Sequence, residues 1–200
     1  MIIIKKYCIL LFILLISAAG YAAERVEGTI LYPDKAVKVT LLIPTGLFGG
    51  GPDVQAMQRG IRYLDENGKK KKLKPSQAQA FTFNYKGHDF TMVSHDYSSG
   101  LFGRSVFMLL VIDGRAKMYE YTVTNSRGGG PNMPMSTTTT THTLIQLPGQ
   151  PLYEPTLIGF KKRMAEYFRD CPELAGLIAQ KELRRRDLDE IVIYYNDKCR

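Results

Sequence analysis

The sequence predicts an α+β fold, in which an antiparallel β-sheet or roll is followed by a short, disulfide-pinned helical tail. Three observations lead to this prediction. Tight-turn dipeptides separate β-rich runs over residues 23–147. Apolar residues recur at helical spacing over residues 156–200. Two cysteines, Cys171 and Cys199, lie in that helical stretch, and the chain opens on an export signal.

The export signal covers residues 1–22. Two lysines precede an apolar run, and small residues follow it, which is typical of a secretory signal peptide. Cleavage after Ala22 fits best, and cleavage after Gly20 is the alternative. A retained anchor is the competing interpretation, but the apolar run is shorter than the roughly 20 residues that a spanning helix needs. Cys8 lies within that run without a lipobox before it, so we do not interpret it as a lipidation site.

The chain is basic, and its positive charge is concentrated in two clusters. The formal net charge of +8 falls by two to +6 when the signal lysines are removed. The clusters are Lys69–Lys72 with Lys74, and Arg184–Arg186. Because an exported protein seldom meets nucleic acid, the clusters indicate either a solvated surface or an anionic partner such as lipid headgroups or acidic glycans.

Two short runs with β-branched residues open the β-rich region, Val26–Tyr32 and Val37–Ile43. A glycine-rich loop over residues 46–52 follows them. Asn67-Gly68 then predicts a two-residue hairpin turn, which sets Glu66 opposite Lys69 and Asp65 opposite Lys70. The lysine run is therefore predicted to form one arm of a polar hairpin, where it also protects a sheet edge from association.

A second hairpin is predicted at Lys86-Gly87. A two-residue turn there produces one apolar and one polar face, as a half-buried antiparallel pair requires. The predicted pairs are Phe83 with Phe90, Phe81 with Met92, Thr82 with Thr91, and Asn84 with Asp89.

Asp113-Gly114 predicts a third hairpin. Val106–Ile112 is apolar at every position, which favours a strand covered on both faces, with a short buried helix as the alternative. Residues 125–143 are rich in glycine, proline and threonine and are predicted to form a flexible loop. Leu144–Leu147 is predicted to form one more strand.

Three short helices are predicted in the tail. Thr156 is the expected N-cap of the first, which has an apolar stripe of Phe160, Met164, Tyr167 and Phe168. Pro172 is expected in the first turn of the second helix. Asp187 and Glu190 predict a capping box at the start of the third.

Cys171 and Cys199 are the only cysteines after residue 22, and an oxidising compartment favours their pairing. Closing a loop of this length would stabilise the fold by roughly 3–4 kcal/mol. The alternative is a redox or nucleophilic pair. That chemistry needs close C-x-x-C spacing or a nearby activating group, and the sequence shows neither.

His88, Asp89, His95 and Asp96 resemble a metal or acid–base site. The two histidines are seven residues apart, so on one strand they point to opposite faces. A metal site would need a bend before His95 and a third ligand such as His142. We therefore expect solvated or hydrogen-bonded surface side chains.

Other candidate sites lack a defining element. Ser98-Ser99-Gly100 has no nucleophile-elbow context, and Gly46–Gly51 lacks the lysine ending of a phosphate loop. Arg184–Arg186 could bind an acidic partner, although exposed charge explains it equally simply. Tyrosines in the last hairpin and the last helix are expected in the core rather than along a concave binding surface; they are Tyr119, Tyr121, Tyr194 and Tyr195.

Two segments of the tail carry a recognisable pattern. Residues 160–174 read FKKRMAEYFRDCPEL and residues 187–199 read DLDEIVIYYNDKC, which contain YF-x-DCP-x-L and L-x-x-I-V-x-x-YN-x-x-C. The pattern resembles that of a group of uncharacterised exported proteins of Gram-negative bacteria. The resemblance implies export, an α+β layout and the pairing of the two cysteines. It implies no activity and no catalytic residues.

These observations together predict an exported protein of the periplasm or cell surface that binds or scaffolds in the cell envelope without catalysis. No cofactor, metal site or nucleic-acid partner is expected, and the partner is either an envelope protein or an anionic surface. One alternative is a hydrolase or metal-dependent enzyme that uses His88, Asp89, His95 and Asp96. Another is a peripheral protein that binds an anionic membrane through Lys69–Lys74.

Overall fold

The structure is a computed structural model that describes residues 23–46, 50–97, 104–128 and 136–199. The predicted signal at residues 1–22 and the Ser98-Ser99-Gly100 segment lie outside these ranges, as do residues 47–49 of the glycine-rich loop. Of the helices in the described ranges, none combines the length and the apolar character that crossing a bilayer requires.

The described residues form nine strands in one antiparallel sheet with the order β4-β3-β2-β1-β5-β6-β7-β8-β9. The strands are β1 Ala23–Leu31, β2 Ala36–Pro44, β3 Ile61–Leu64, β4 Lys70–Leu73, β5 Ala80–Tyr85, β6 His88–Tyr97, β7 Arg104–Ile112, β8 Lys117–Arg127 and β9 Ser136–Gln146. The helices are α1 Val54–Met57, α2 Phe160–Tyr167, α3 Pro172–Ala179 and α4 Leu188–Lys198, with short 3₁₀ turns at Pro75–Gln77 and Arg185–Asp187. The α+β prediction is confirmed at this level, and the fold is mostly β.

The sheet buries apolar side chains on both faces. On one, which we call the helix face, Phe81, Met92 and Phe107 pack in the middle of the sheet, and the C-terminal helices cover Met118 and Ile145 at its end. On the other, the second face, a smaller cluster contains Val106, Met108, Tyr119 and Leu144. A strand that is apolar on both faces fits this arrangement, and β7 contributes to both clusters.

The hairpin at Lys86-Gly87 has the predicted register. Phe83 pairs with Phe90 and Thr82 with Thr91, and the other predicted pairs are also present. The Phe83 and Phe90 rings stack with centroids 5.1 Å apart. Both turn residues have positive φ, 52° and 86°, which a type I′ turn requires. The third predicted hairpin is also confirmed: Val106–Ile112 lies in β7 rather than in a helix.

The hairpin at Asn67-Gly68 forms with a register that differs by one residue from the prediction. Leu64 pairs with Lys70, and Asp65 N–H donates to the Lys69 carbonyl. The turn is longer because the Asp65 carboxylate accepts the backbone N–H groups of residues 67 and 69. Its ion-pair partner is consequently Lys71, at 3.0 Å, rather than Lys70.

The prediction of a flexible loop over residues 125–143 is wrong for the residues that the structure describes as strand. Residues 125–127 end β8 and residues 136–143 lie in β9, while 129–135 are outside the described ranges. Threonine hydroxyls face each other across the two strands, at 3.2 Å for Thr122 and Thr141 and 3.0 Å for Thr124 and Thr139. Threonine has high β-propensity, and such cross-strand pairs stabilise a sheet without apolar burial.

Three helices form in the tail, as predicted, but two of the predicted caps are wrong. Gly159, with φ 71°, rather than Thr156 occupies the N-cap of α2. Asp187 makes no side-chain cap to α4, because its carboxylate accepts the backbone N–H of Arg184 and closes the preceding 3₁₀ turn. Pro172 is in the first turn of α3 as expected. The predicted disulfide is present, with the Cα atoms of Cys171 and Cys199 5.5 Å apart.

Gln58, directly after α1, bonds to two neighbouring strands that are far from it in the sequence, β7 and β8. The pairing of β7 with β8 ends at Leu109 and Glu120, and the strands diverge beyond that point. The backbone carbonyl of Gln58 accepts from Phe107 N–H on β7 at 3.0 Å. The Gln58 carboxamide is oriented to bond to both backbone groups of Thr122 on β8. Its nitrogen donates to the Thr122 carbonyl at 2.8 Å, and its oxygen accepts the Thr122 N–H at 2.7 Å. Gln58 therefore fills the gap between two diverging strands.

Candidate functional site

The four side chains of the alternative enzyme site, His88, Asp89, His95 and Asp96, do not come together in one place. His88 and His95 lie on the continuous strand β6, so they point to the helix face and the second face respectively. His88 is exposed beside the turn, opposite Tyr85, as predicted. Asp89 and Asp96 are exposed and bond to the neighbouring side chains of Asn84 and Ser105, so each has a local partner. Within the described part of the chain, His, Cys, Asp and Glu form no group of three that could hold a metal.

His142 joins a different cluster, on the second face. Its Nδ1 lies 2.6 Å from Glu154 Oε1, and the Tyr97 hydroxyl donates to Glu154 Oε2 at 3.0 Å. The Tyr97 and Tyr121 rings pack with centroids 5.3 Å apart. Burial, with the hydrogen bond to the carboxylate as the second cause, raises the pKa of Tyr97 to about 12. Tyr97 therefore stays protonated, and with both Glu154 oxygens occupied the cluster holds the segment after β9 against β6.

His95 lies on the same face but bonds to none of these groups. Its ring meets Tyr119 edge-on, with centroids 4.4 Å apart, and its buried Nε2 has no hydrogen-bond partner among the described residues. Burial lowers the pKa of His95, and the negative charge of Asp96 opposes that effect. The imidazole of His95 therefore packs beside Tyr119 in the second-face cluster.

A polar groove of about 720 Å³ lies on the second face of β1, β2, β3, β5 and β6. The sheet register places two rows of side chains there. One row contains the paired residues Leu64, Thr40 and Glu27 and, farther along, the pair Asn84 and Asp89; the other runs Lys38, Thr29, Thr82, Thr91. The tail covers the opposite face, at β7–β9, so this groove is open.

Negative charge predominates in the groove even though the chain is basic. The ionisable side chains that line it are Lys38 and four carboxylates, Glu27, Asp65, Glu66 and Asp89. Asp65 is bound to Lys71 at 3.0 Å, and that hydrogen bond lowers the pKa of its carboxyl. The other three carboxylates face a single lysine inside the groove, and hydroxyl and amide groups lie between them.

The lysines predicted as a binding patch lie at the sheet edge. Residues 70–72 are exposed on β4, the first strand in the sheet order, and Leu73 beside them is buried. Lys71 forms an ion pair with Asp65 in the turn. This placement agrees with edge protection, and the partly buried rings of Tyr32 and Tyr63 lie beside Lys71 and Lys72.

The recognisable tail residues anchor the tail to the sheet. The Asn196 carboxamide pairs with both backbone groups of Ala116, at 2.7 and 3.0 Å. Tyr195 is buried, its hydroxyl donates to Asp170, and Arg115 lies 5.1 Å from its ring. A Cβ on Gly114 would come within 2.5 Å of Asn196, so glycine is needed at that contact. The conspicuous pattern of the tail is thus accounted for by packing.

The groove is not predicted from the sequence, because it forms only when strands that are far apart in the chain pair with each other. Locally, Glu27 and Thr29 indicate only a strand, and Asp65 and Glu66 indicate only a turn. The alternation of polar residues in β1 and β2 is a local signal for one exposed face. That this face continues into Thr82 and Asp89 follows only from the β1–β5 pairing.

Comparison with known proteins finds no match, since no family model, no curated protein and no solved structure is similar to the chain.

Proposed function

We propose that this chain is a non-catalytic binding protein, exported to the bacterial cell envelope, that binds a cationic, hydrogen-bonding ligand in the polar groove. The observation that carries the proposal is the composition of the groove. Three carboxylates without a dedicated partner cation, a row of threonines and one amide line a volume of about 720 Å³. This size suits a ligand or a short polypeptide segment.

The charge of the groove selects the ligand class. Carboxylates are acceptors only, whereas threonine hydroxyls and the Asn84 amide both donate and accept. Asn84 pairs with Asp89, and Glu27 comes directly before Gly28, whose partner Phe83 precedes Asn84, so an extended ligand with amino or guanidinium groups can reach both carboxylates. A lysine- or arginine-bearing peptide segment fits these requirements.

Two features support the export part of the proposal. The first 22 residues have the composition of a signal peptide. The disulfide between Cys171 and Cys199 is compatible with an oxidising compartment.

We also propose that the sheet curves into an open roll and is not flat. Gln58 bonds to both β7 and β8, and Glu154 after β9 reaches Tyr97 on β6. Gln58 follows α1, which packs through Met57 into the helix-face cluster and contacts both β2 and β8, so these contacts reach across the sheet and support its curvature.

The binding test uses pentalysine as the probe and pentaglutamate as its charge-reversed counterpart, with isothermal titration at low salt. We expect pentalysine to bind through the groove carboxylates, whereas any binding of pentaglutamate, which the basic clusters elsewhere attract, should not depend on those carboxylates. Glu27→Gln with Asp89→Asn should weaken pentalysine binding roughly tenfold, because each exposed charge pair contributes up to about 1 kcal/mol. The titration is carried out at pH 7.

The matched control is Asp34→Asn with Glu182→Gln, which removes the same charge at exposed positions outside the groove. This control should bind pentalysine like the unmodified protein. Equal weakening in the two double variants would show a general charge effect and would overturn the assignment of the groove as the site.

A further inference from the structure

The two most exposed large hydrophobic side chains in the described structure are neighbours. Leu157 and Ile158 are 75% and 83% exposed, in the connection that leads from Pro155 into α2. Single exposed apolar residues are normal on protein surfaces, but an adjacent protruding aliphatic pair beside a strongly charged patch indicates an interaction site.

A shallow groove of about 470 Å³ lies beside Leu157. Its apolar residues are Leu157, Phe160, Ile178 and Leu183, and its charged residues are Lys161, Lys181, Arg184, Arg185 and Arg186. The residues of the described structure that line it include five cations and no carboxylate. This combination of aliphatic and cationic groups, which we call the tail patch, is complementary to an anionic amphiphilic surface.

Carboxylates neutralise only part of the tail patch: Asp187 pairs with Arg186, and Glu120 and Asp189 line a neighbouring groove with Arg185 and Arg186. Asp187 accepts the backbone N–H of Arg184 at 2.9 Å and the Arg186 Nε–H at 3.3 Å. Glu182 is exposed and does not line the groove. Over residues 156–163 and 180–187, seven lysines and arginines stand against these two acids.

The tail patch is held in place by the fold. Arg185 Nε donates to the Pro155 carbonyl at 3.3 Å, which joins the arginine segment to the start of the Leu157 connection. Arg163 donates to Thr156 Oγ1 at 3.2 Å on the other side of that connection. Since these contacts fix the aliphatic pair next to the cations, little ordering is needed when the patch meets a partner.

We propose that the tail patch docks onto an anionic phospholipid bilayer, with Leu157 and Ile158 at the boundary between headgroups and acyl chains and the cations at the lipid phosphates. Peripheral proteins bind membranes by combining apolar burial with electrostatic attraction. The lysines of β4 lie beside the half-buried rings of Tyr32 and Tyr63 and have no protruding aliphatic pair among the described residues, so the tail patch is distinct from them and from the polar groove.

The test is cosedimentation of the chain from Ala23 onwards, which holds every described element, with lipid vesicles. One vesicle is phosphatidylcholine alone, and the other contains about 30% phosphatidylglycerol, which provides a negative surface. We expect binding to the second vesicle only. Lys161→Gln, Lys181→Gln and Arg186→Gln together should weaken it at least about tenfold, since each cation near such a surface contributes on the order of a fivefold change in affinity.

The matched charge control is Lys70→Gln, Lys72→Gln and Lys74→Gln, which removes three charges from the β3–β4 hairpin and should retain binding. For the apolar part, Leu157→Ser with Ile158→Ser should lose the binding that remains in about 0.5 M salt, where exposed charges are screened. Val111→Ser with Ile193→Ser, at the other exposed large aliphatic positions, is its control. Circular dichroism checks that each variant folds.

Three results would overturn the proposal. One is equal sedimentation of the protein with the two vesicles. Another is an equal loss of vesicle binding in the Lys70, Lys72 and Lys74 control and in the tail-patch variant, which would assign binding to the hairpin lysines instead. The third is displacement of the protein by millimolar inorganic phosphate, which would identify a site for a free anion rather than a membrane surface.

Discussion

The imidazole of His95 packs edge-on against Tyr119, and its Nε2 is buried without a hydrogen-bond partner among the described residues. A charged imidazole is disfavoured there by burial, which lowers the pKa of His95. The unfolded chain has no such restriction and takes up a proton near the ordinary value of 6.5. Acidification therefore favours unfolding, starting at the ordinary pKa and continuing until the pH reaches the lower pKa of the folded protein.

His95→Phe should remove this pH dependence. Phenylalanine keeps a ring against Tyr119 and has no polar atom to bury, so at pH 7 the free energy of unfolding should be unchanged or higher by up to about 1 kcal/mol. Its advantage over the unmodified protein should grow as the pH falls from 7 to 5. Urea denaturation at several pH values measures this difference.

His88→Gln is the control, because His88 is exposed and its replacement removes the same type of side chain without a change in burial. Its pH profile should follow that of the unmodified protein. Parallel profiles for His95→Phe and the unmodified protein would contradict the burial argument. Asp65 and Asp113, whose carboxyl pKa values are lowered by bonds to lysines, affect stability only below about pH 4 and do not obscure the result.

Between elements, Gln58 joins β7 and β8 at the point where these neighbouring strands separate. It is the one polar side chain in the buried core of the described structure, at 3% exposure, and it satisfies the backbone of Thr122 where β8 leaves β7. Without this amide, the N–H and carbonyl of Thr122 would lose their partners in a partly buried position. Unsatisfied buried groups cost more than an average hydrogen bond contributes.

Gln58→Leu should lower the free energy of unfolding by about 2–4 kcal/mol, since two backbone groups lose their partners and leucine cannot replace either bond. Gln55→Leu is the matched control, because its amide makes a single bond, 2.6 Å to Thr124 Oγ1 at a half-buried site. That control should cost about 1 kcal/mol or less. Equal losses in the two variants, measured by urea denaturation, would refute the special role of Gln58.

For the whole molecule, the sheet and the helical tail share one apolar cluster, and the disulfide closes the tail on itself. Cys171 precedes α3 and Cys199 follows α4, so the bond fixes both helices against β8 and β9. Arg115 adds to this closure by donating to the Cys199 carbonyl. The polar groove lies on the opposite face, at other strands, so loss of the bond should affect the tail and leave the groove intact.

Cys171→Ser with Cys199→Ser should lower the free energy of unfolding by about 3–4 kcal/mol, because the bond closes a loop with a sequence separation of 28. Reductant should lower the stability of the unmodified protein by a similar amount and leave the double variant unaffected. Hydrogen exchange should quicken first in α4. If the double variant were as stable as the oxidised protein, the bond would contribute nothing to the fold.

The sequence alone determined the features that depend on neighbours along the chain. The Lys86-Gly87 turn and the alternation around it set every pair of the β5–β6 hairpin. The cysteine count and spacing predicted the disulfide, and the seven-residue separation of His88 and His95 predicted their opposite orientation. Strand period, turn geometry and chain connectivity are local properties, so local sequence is sufficient for them.

Only the tertiary structure decided the features that depend on competition or on distant pairing. The Asp65 carboxylate lengthened its turn and changed the hairpin register, and Asp187 capped a 3₁₀ turn instead of the following helix. Threonines that suggested a loop became β9 because β8 provided cross-strand partners. The polar groove and the tail patch each combine residues that are far apart in sequence. Their positions follow from strand order and helix packing, where many weak contacts act together and no single segment holds the information.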